Sequence, residues 1–382
     1  MIKIPPKKYK GLADKHYKNI RQYIISATKF YLKCCYTVDR SLIKKGIDLS
    51  EVDKLNASSK RSLFVSVSNL KYNKINASYL FKQKYMKREF INNVKYFSEL
   101  LEQMLDITSK ISIKNIIMAV PMKFEEIQND VYSIFKFSKL NSGKKKIEEN
   151  KLLKEILSSI YNYNKFSANG INGWSAYEYC RNLGVNVCPY CNRIYTHTVT
   201  NNSENIIRAY LDHFVPKARY PLFGLTFFNL IPSCSYCNSS IKGNDEEFTF
   251  EKMVFNNFIH PYFDKDDFRF LFKPFDISGF SGDEKGLEIE LKDSSSIKLD
   301  NTLNFFRVLE IYQVHKDIVA KLIRKRIIYN DSNLEMISKI TGIEKDSLFN
   351  SLFDKINDDE IIDYSLGKLK NDIIEQLKKL TI

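Results

Sequence analysis

Two cysteine pairs constrain the fold of this chain more than any other feature of its sequence. Cys188-Pro-Tyr-Cys191 and Cys234-Ser-Tyr-Cys237 each hold two thiols on a short segment, and 42 residues separate the pairs. Such pairs form tight turns, and their four thiolates can fill the tetrahedral shell of one zinc ion. The sequence therefore predicts a structural zinc site that joins the two ends of the intervening segment. Cysteines that pack without a metal are the alternative.

The cysteine count also bears on the compartment. The other cysteines are Cys34, Cys35 and Cys180, which makes an odd total of seven. The N-terminal segment lacks the apolar stretch of ~7–15 residues that a signal peptide requires, and no stretch reaches the ~18 apolar residues of a membrane span. An odd count in this context argues for metal binding rather than disulfides. We expect a cytoplasmic protein without a membrane partner.

The net charge of +14 is concentrated in the first part of the chain. Residues 1–150 contain 30 Lys and Arg against 14 Asp and Glu, a balance of +16, whereas residues 151–382 contain 29 against 31, a balance of −2. This asymmetry predicts a surface for nucleic acid or another acidic partner in the N-terminal part. A lysine-rich, solvated helical face is the alternative.

Hydrophobic periodicity predicts an α+β protein that is mostly α-helical. Apolar residues recur at three- and four-residue spacing from about residue 12 to 164, and again after about residue 300. Between these parts, the β-branched and aromatic segments 187–199 and 208–216 predict two strands, followed by a short helix at 237–242. This order predicts a ββα unit in the middle of the chain.

Three regions follow from these patterns. They are a basic helical N-terminal domain (1–165), a ββα domain with the zinc site (166–260), and a mainly helical C-terminal region (261–382). Within the C-terminal region we expect a minor hairpin at residues 285–300.

A second motif lies between and beside the cysteine pairs. Asp212 and His213 are adjacent in YLDHFVPK, Asn229 follows sixteen residues after His213, and Asn238 comes nine residues later. Together with the CxxC pairs, this order resembles the HNH, or ββα-metal, endonuclease family, in the variant with asparagine at its third position. The resemblance covers about 60 of the 382 residues. Within the family, it is similar to the zinc-bearing branch of prokaryotic defence nucleases, such as the Septu-type and retron-associated ones.

The resemblance implies a hydrolase that cuts DNA phosphodiester bonds. It assigns His213 as the general base, Asp212 and Asn238 as ligands of a catalytic Mg²⁺ or Mn²⁺, and Asn229 as the residue that fixes the loop carrying His213. Such hydrolysis needs a base at the attacking water and a cation at the phosphate, and oxygen ligands suit Mg²⁺ or Mn²⁺. An incidental Asp-His pair, and Asn229 as a simple turn residue, are the alternatives.

Neighbouring basic and histidine residues are weaker candidates. Lys217 and Arg219 are expected to face the substrate, and Lys242, four residues after Asn238, is expected to contact phosphate; solvated surface positions are the alternative for all three. His260 lines the site or packs as a structural side chain, and His315 is expected at the edge of the core.

Two other functions fit parts of the same pattern. One is an RNA-cleaving nuclease, because a metal finger contacts the backbone and distinguishes few bases. The other is a zinc-containing module that binds nucleic acid without cutting it, although a pure binder needs no base beside a metal site. The resemblance further implies a role in anti-phage defence with a regulatory partner, such as an ATPase. DNA is the favoured partner.

Overall fold

The computed structural model describes residues 2–44, 46–54, 84–135, 151–201, 204–243, 246–264, 267–293 and 296–380. In these ranges the chain is mostly helical and also contains small two-stranded antiparallel sheets. The α+β class predicted from the sequence is confirmed. Part of the N-terminal positive charge, on residues 55–83 and 136–150, lies outside the described residues.

The described helices and strands follow in chain order. The helices up to residue 183 are α1 (Pro6–Tyr9), α2 (Leu12–Val38), α3 (Ser50–Lys54), α4 (Lys84–Asn92), α5 (Val94–Leu105), α6 (Ile113–Ile117), α7 (Pro121–Ile134), α8 (Lys151–Ile160), α9 (Tyr163–Ala168) and α10 (Ala176–Leu183). The strands are β1 (Val199–Thr200), β2 (Asn205–Ile207), β3 (Tyr210–His213), β4 (Leu230–Ser233), β5 (Phe268–Pro274) and β6 (Leu287–Asp293). The later helices are α11 (Val254–Asn257), α12 (Ile277–Phe280), α13 (Ile297–Phe305), α14 (Val308–Tyr312), α15 (Lys316–Ile328), α16 (Asp331–Thr341), α17 (Lys345–Leu352) and α18 (Gly367–Lys378). Among the described helices, none has the length and apolar composition that crossing a bilayer requires.

Helix α2 organises the N-terminal part. Its 27 residues contain no proline and extend over about 40 Å. Ile20, Ile24, Ala27, Tyr31 and Cys35 recur every three or four residues and are all buried, so one face of the helix is apolar along most of its length. That face packs against α5, α6 and α8.

The strand that we predicted over residues 187–199 is wrong for most of its length. Val187 and Tyr195 form an isolated β-bridge, and the only strand of this segment is Val199–Thr200, which pairs with β2 in a short hairpin. The cysteine turn takes up Cys188 to Cys191, and Pro189 has no N–H to donate to a ladder. The partner of β3 is instead β4, with His213 opposite Leu230 and Tyr210 opposite Ser233.

A π-helix, Tyr236–Lys242, follows β4, and Ser235 directly before it already has helical dihedral angles. The amide of Gly243 donates to the carbonyl of Asn238, five residues earlier, at 3.0 Å. Strands β3 and β4 and this helix therefore follow one another in ββα order. The hydrogen bonds of this helix span five residues, compared with four in an α-helix, and such wide turns are common at functional sites.

The minor hairpin of the C-terminal region is longer than the sequence suggested. β5 pairs with β6 from Phe268–Asp293 to Pro274–Leu287, whereas residues 297–300, which we expected in the hairpin, begin helix α13. Side chains of α18 bond the edge of β5: the amide of Phe270 donates to Asp372 at 2.9 Å, and that of Phe272 donates to Gln376 at 2.9 Å.

One buried apolar cluster extends through all three regions, from Ile2 to Leu377. Backbone bonds also connect distant parts of the chain: the amide of Ile2 donates to the carbonyl of Pro189 at 2.6 Å, and that of Val187 donates to the carbonyl of Ile362 at 3.0 Å. The rings of Phe124 and Phe223 stack at 4.5 Å. Helices from both ends of the sequence therefore support the central ββα segment directly.

His16 on α2 is another of these supports. The Trp174 indole donates to its Nδ1 at 2.9 Å, so Nε2 carries the proton and donates to the Leu225 carbonyl at 2.8 Å. The side chain is fully buried, and burial lowers its pKa to about 4. His16 thus joins α2 to the loop between β3 and β4 as a neutral side chain.

We expect His16→Ala to lower the free energy of unfolding by about 3 kcal/mol or more, because it leaves the Trp174 and Leu225 groups without partners and opens a cavity. The control Lys18→Ala, at an exposed position of the same helix, should change the free energy of unfolding by less than about 0.5 kcal/mol. Chemical denaturation followed by circular dichroism measures both. Equal stability of the two variants would contradict this role for His16.

Candidate active site and metal centre

The four cysteines of the CxxC pairs meet in space. Their sulfurs all lie within 4.8 Å of one another, with Cys191 and Cys234 at 3.9 Å. A tetrahedral ion with Zn–S bonds of about 2.3 Å requires sulfurs about 3.8 Å apart, whereas a disulfide requires about 2.05 Å. All four side chains are buried, and all four cysteines are free of disulfides. The cluster could therefore hold a zinc ion, as the sequence predicted.

The C-terminal region encloses the first cysteine turn. The Tyr312 hydroxyl donates to the carbonyl of Cys191 at 2.7 Å. Asn192, the next residue, accepts at its side-chain oxygen from the amide of Lys368 at 2.9 Å and donates to the carbonyl of Ile361 at 3.1 Å. These bonds hold the backbone at the end of the turn, beside the four thiols.

Asp212 lies beside the cysteine cluster and is held by two donors. Tyr190, between the first two cysteines, donates its hydroxyl to Asp212 Oδ2 at 2.5 Å. Lys242, the last residue of the π-helix, forms an ion pair with the same oxygen at 2.6 Å. All three side chains are buried. Both bonds go to Oδ2, and within the described ranges Oδ1 receives no hydrogen bond.

His213 is fixed by a backbone carbonyl. Its Nε2 lies 3.0 Å from the carbonyl oxygen of Gly224, and because a carbonyl only accepts, Nε2 must donate. The remaining nitrogen, Nδ1, is therefore an unprotonated acceptor in the neutral ring. Burial, reinforced by the nearby Lys217 cation, lowers the pKa of His213 to about 3. The imidazole is neutral at physiological pH and presents one lone pair.

Asn229 clamps the loop that follows His213. Its side-chain oxygen accepts from the amide of Val215 at 2.8 Å. Its amide nitrogen donates to the carbonyls of Val215 at 3.1 Å and Phe223 at 3.0 Å. One fully buried side chain thus closes the loop from both ends and positions Gly224 to accept the bond from His213.

Three residues of the Asp-His-Asn-Asn motif line one cleft of about 360 Å³. Asp212, His213 and Asn238 all contribute to its wall. Adjacent strand residues normally point to opposite faces, but His213 is the last residue of β3, so it can share the cleft with Asp212. Asn238 is half-buried and donates to the Ser239 hydroxyl at 3.3 Å, and its side-chain oxygen receives no hydrogen bond from the described residues.

The three basic candidates lie in different environments, and two of them differ from expectation. Lys217 is exposed at the cleft rim, with its ammonium 4.9 Å from the centre of the Tyr163 ring. Arg219 does not line the cleft and instead pairs with Glu251 at 3.4 Å. Lys242 is only 3% exposed, because besides Asp212 it bonds the carbonyls of His213 and Phe214 at 2.7 and 3.1 Å. We expected Arg219 and Lys242 to face the substrate, whereas the structure places Lys242 in a buried ion pair and Arg219 in a half-buried one.

The other histidines lie outside the cleft. His260 is buried against the ring of Phe214 at 4.4 Å, which corresponds to the packing alternative, and burial lowers its pKa to about 3. His315 is half-buried and accepts a bond from Arg193 at 3.0 Å. His197 is exposed. Tyr190 is the site residue that sequence reasoning missed, and its only signal was its position between two cysteines.

Comparisons with known proteins add one relative. No family model matches the chain, and no solved structure matches it. Among curated proteins, the chain is similar to Protein ea31 of Escherichia phage lambda, with 28% identity over 182 residues. The match covers 46% of this chain and 55% of ea31, so the chain spans about half the length of that relative. The similarity gives a distant relative and no activity.

Proposed function

We propose that this protein is a metal-dependent endonuclease of the HNH type that hydrolyses DNA phosphodiester bonds in the cleft of Asp212, His213 and Asn238. The observation that carries the proposal is the bond from His213 Nε2 to the Gly224 carbonyl. It leaves a neutral imidazole with its Nδ1 lone pair in a cleft that also contains oxygen ligands. A side chain that served packing alone would not need this combination.

His213 acts as the general base in this proposal. Nδ1 takes a proton from the attacking water, and the resulting imidazolium keeps its Nε2 proton on the Gly224 carbonyl. The ring cannot rotate easily, because Tyr163 packs edge-on against it at 4.4 Å. A fixed, correctly oriented base avoids the cost of reorganisation during reaction.

The oxygen donors of the cleft fit a hard divalent cation. Asp212 Oδ1 and the side-chain oxygen of Asn238 are the two protein ligands that would hold Mg²⁺ or Mn²⁺, with water at the other positions. Bound there, the cation would stabilise negative charge on the phosphate and on the leaving oxygen. The four thiolates are soft ligands that suit zinc and leave it no open position. The two metals would therefore have separate roles.

Tyr190 and Lys242 support Asp212 in the same scheme. Both bind Oδ2, which orients the carboxylate and leaves Oδ1 toward the cation. Because Tyr190 belongs to the first cysteine turn, its hydrogen bond connects the proposed zinc site directly to the Asp212 carboxylate. Mutation of a residue that hydrogen-bonds a metal ligand typically lowers metal affinity or activity by about 10–100-fold.

The resemblance, not the site geometry, favours DNA over RNA as the substrate.

Lys217 at the rim is the described cation best placed to attract a phosphate. The defence role and the ATPase or other regulatory partner stay predictions of the same resemblance. The excess of positive charge in residues 1–150 supports a polyanionic substrate in general.

We expect His213→Ala to abolish Mg²⁺- or Mn²⁺-dependent nicking of supercoiled plasmid, because loss of a general base costs ~10²–10⁴ in rate. His197→Ala removes an exposed histidine and should cleave like the native protein. Gel electrophoresis of plasmid time courses measures both. Cleavage by His213→Ala at the native rate would exclude this residue from the chemistry.

Tyr190→Phe removes one hydroxyl and should lower the nicking rate by about 10–100-fold, with a higher metal concentration needed for half-maximal rate. The buried ring still stacks on Phe306, so the fold should persist. Tyr195→Phe, at an exposed tyrosine of the next segment, is the matched control. An unchanged metal requirement would show that Tyr190 only packs.

The purified protein should contain one zinc per chain, and Cys237→Ser should lose the zinc and much of its stability, since a structural ion contributes folding free energy directly. Cys180→Ser changes a buried cysteine outside the cluster and should keep the zinc. Elemental analysis and thermal unfolding measure these effects. A zinc-free native protein, or an undiminished melting temperature of Cys237→Ser, would contradict the zinc site.

A further inference from the structure

A second pocket of about 400 Å³ adjoins the candidate catalytic cleft. Lys217 and Ala218 line both cavities. Gly224, whose carbonyl holds His213, and Tyr163, whose ring packs against His213, also line the second pocket. The pocket therefore lies directly beyond His213 and opens next to the position of the attacked phosphate.

The chemistry of this pocket suits one nucleotide. Lys151, Lys154 and Lys217 line it together with one acidic side chain, Glu155, so the pocket carries a net positive charge that attracts phosphate. The half-buried Tyr163 adds aromatic surface of the kind on which nucleobases stack. Its volume falls within the range of pockets that enclose small organic ligands.

We infer that this pocket binds an unpaired nucleotide of the substrate strand, next to the scissile phosphate. The inference rests on the proposed function for the position of that phosphate, and it specifies the substrate. A base inside a duplex is stacked and paired, and it enters a pocket only when it is single-stranded or flipped out. The preferred substrate is accordingly a strand with an unpaired nucleotide beside the cleavage position.

Binding without turnover tests the pocket. The full-length protein, with Ca²⁺ in place of Mg²⁺, is titrated against fluorescent oligothymidylate and against an abasic strand of equal length and charge. Ser158 is an exposed pocket residue on α8, so Ser158→Trp fills the pocket without disturbing the core. Ser332→Trp makes the same change at an exposed position of α16.

The native protein and Ser332→Trp should prefer thymidylate to the abasic strand by about fivefold or more, the effect of one stacked base. Ser158→Trp should lose this preference. An equal preference in the two tryptophan variants, or no preference in the native protein, would overturn the pocket. Plasmid nicking is assayed in parallel. A preference for thymidylate without nicking would contradict the proposed function but not the pocket. Nicking without that preference would contradict the pocket but not the proposed function.

A second pair of variants tests the lysines. Lys151→Ala combined with Lys154→Ala should reduce the salt dependence of thymidylate binding, with the slope of log affinity against log salt falling in magnitude by about 1.4. Lys110→Ala combined with Lys114→Ala removes two exposed lysines elsewhere and should leave that slope unchanged. Equal slopes for the two double variants would contradict phosphate binding at this pocket.

Discussion

Four buried cysteine sulfurs within 4.8 Å of one another are the constraint on which the centre of the molecule depends. Thiolates this close repel one another unless a cation neutralises them. The cluster draws together two turns that are 42 residues apart in the chain. Between these turns run β3, the loop and β4, so the geometry of the cleft depends on the cluster.

A chain of buried polar contacts transmits this constraint to the cleft. Tyr190 reaches from the first cysteine turn to Asp212, and Lys242 reaches from the helix after the second turn to the same oxygen. On the other side of β3, Asn229 and Gly224 hold the loop and the imidazole. In the proposed enzyme, this network would position the reactive groups before substrate binds, which is how preorganised sites increase the reaction rate.

The sequence predicted what depends on spacing and missed what depends on tertiary contact. The sequence alone shows both cysteine pairs and the order Asp212, His213, Asn229, Asn238. The structure brings the four cysteines into one cluster. It also brings Asp212, His213 and Asn238 into one cleft. The ion pair of Lys242 with Asp212 joins residues 30 positions apart, and no local pattern distinguishes it from a surface lysine. The strand partner of β3 was misassigned because β-branched residues beside a cysteine turn resemble a strand.

Anomalous diffraction from crystals soaked in Mn²⁺, recorded at the zinc and manganese edges, tests the central claim most directly. That claim is that one chain holds a closed thiolate zinc site and, next to it, an open oxygen site for a catalytic cation. We predict a zinc peak among Cys188, Cys191, Cys234 and Cys237 and a manganese peak between Asp212 and Asn238. Manganese absent from that cleft, or zinc absent from the four sulfurs, would contradict it.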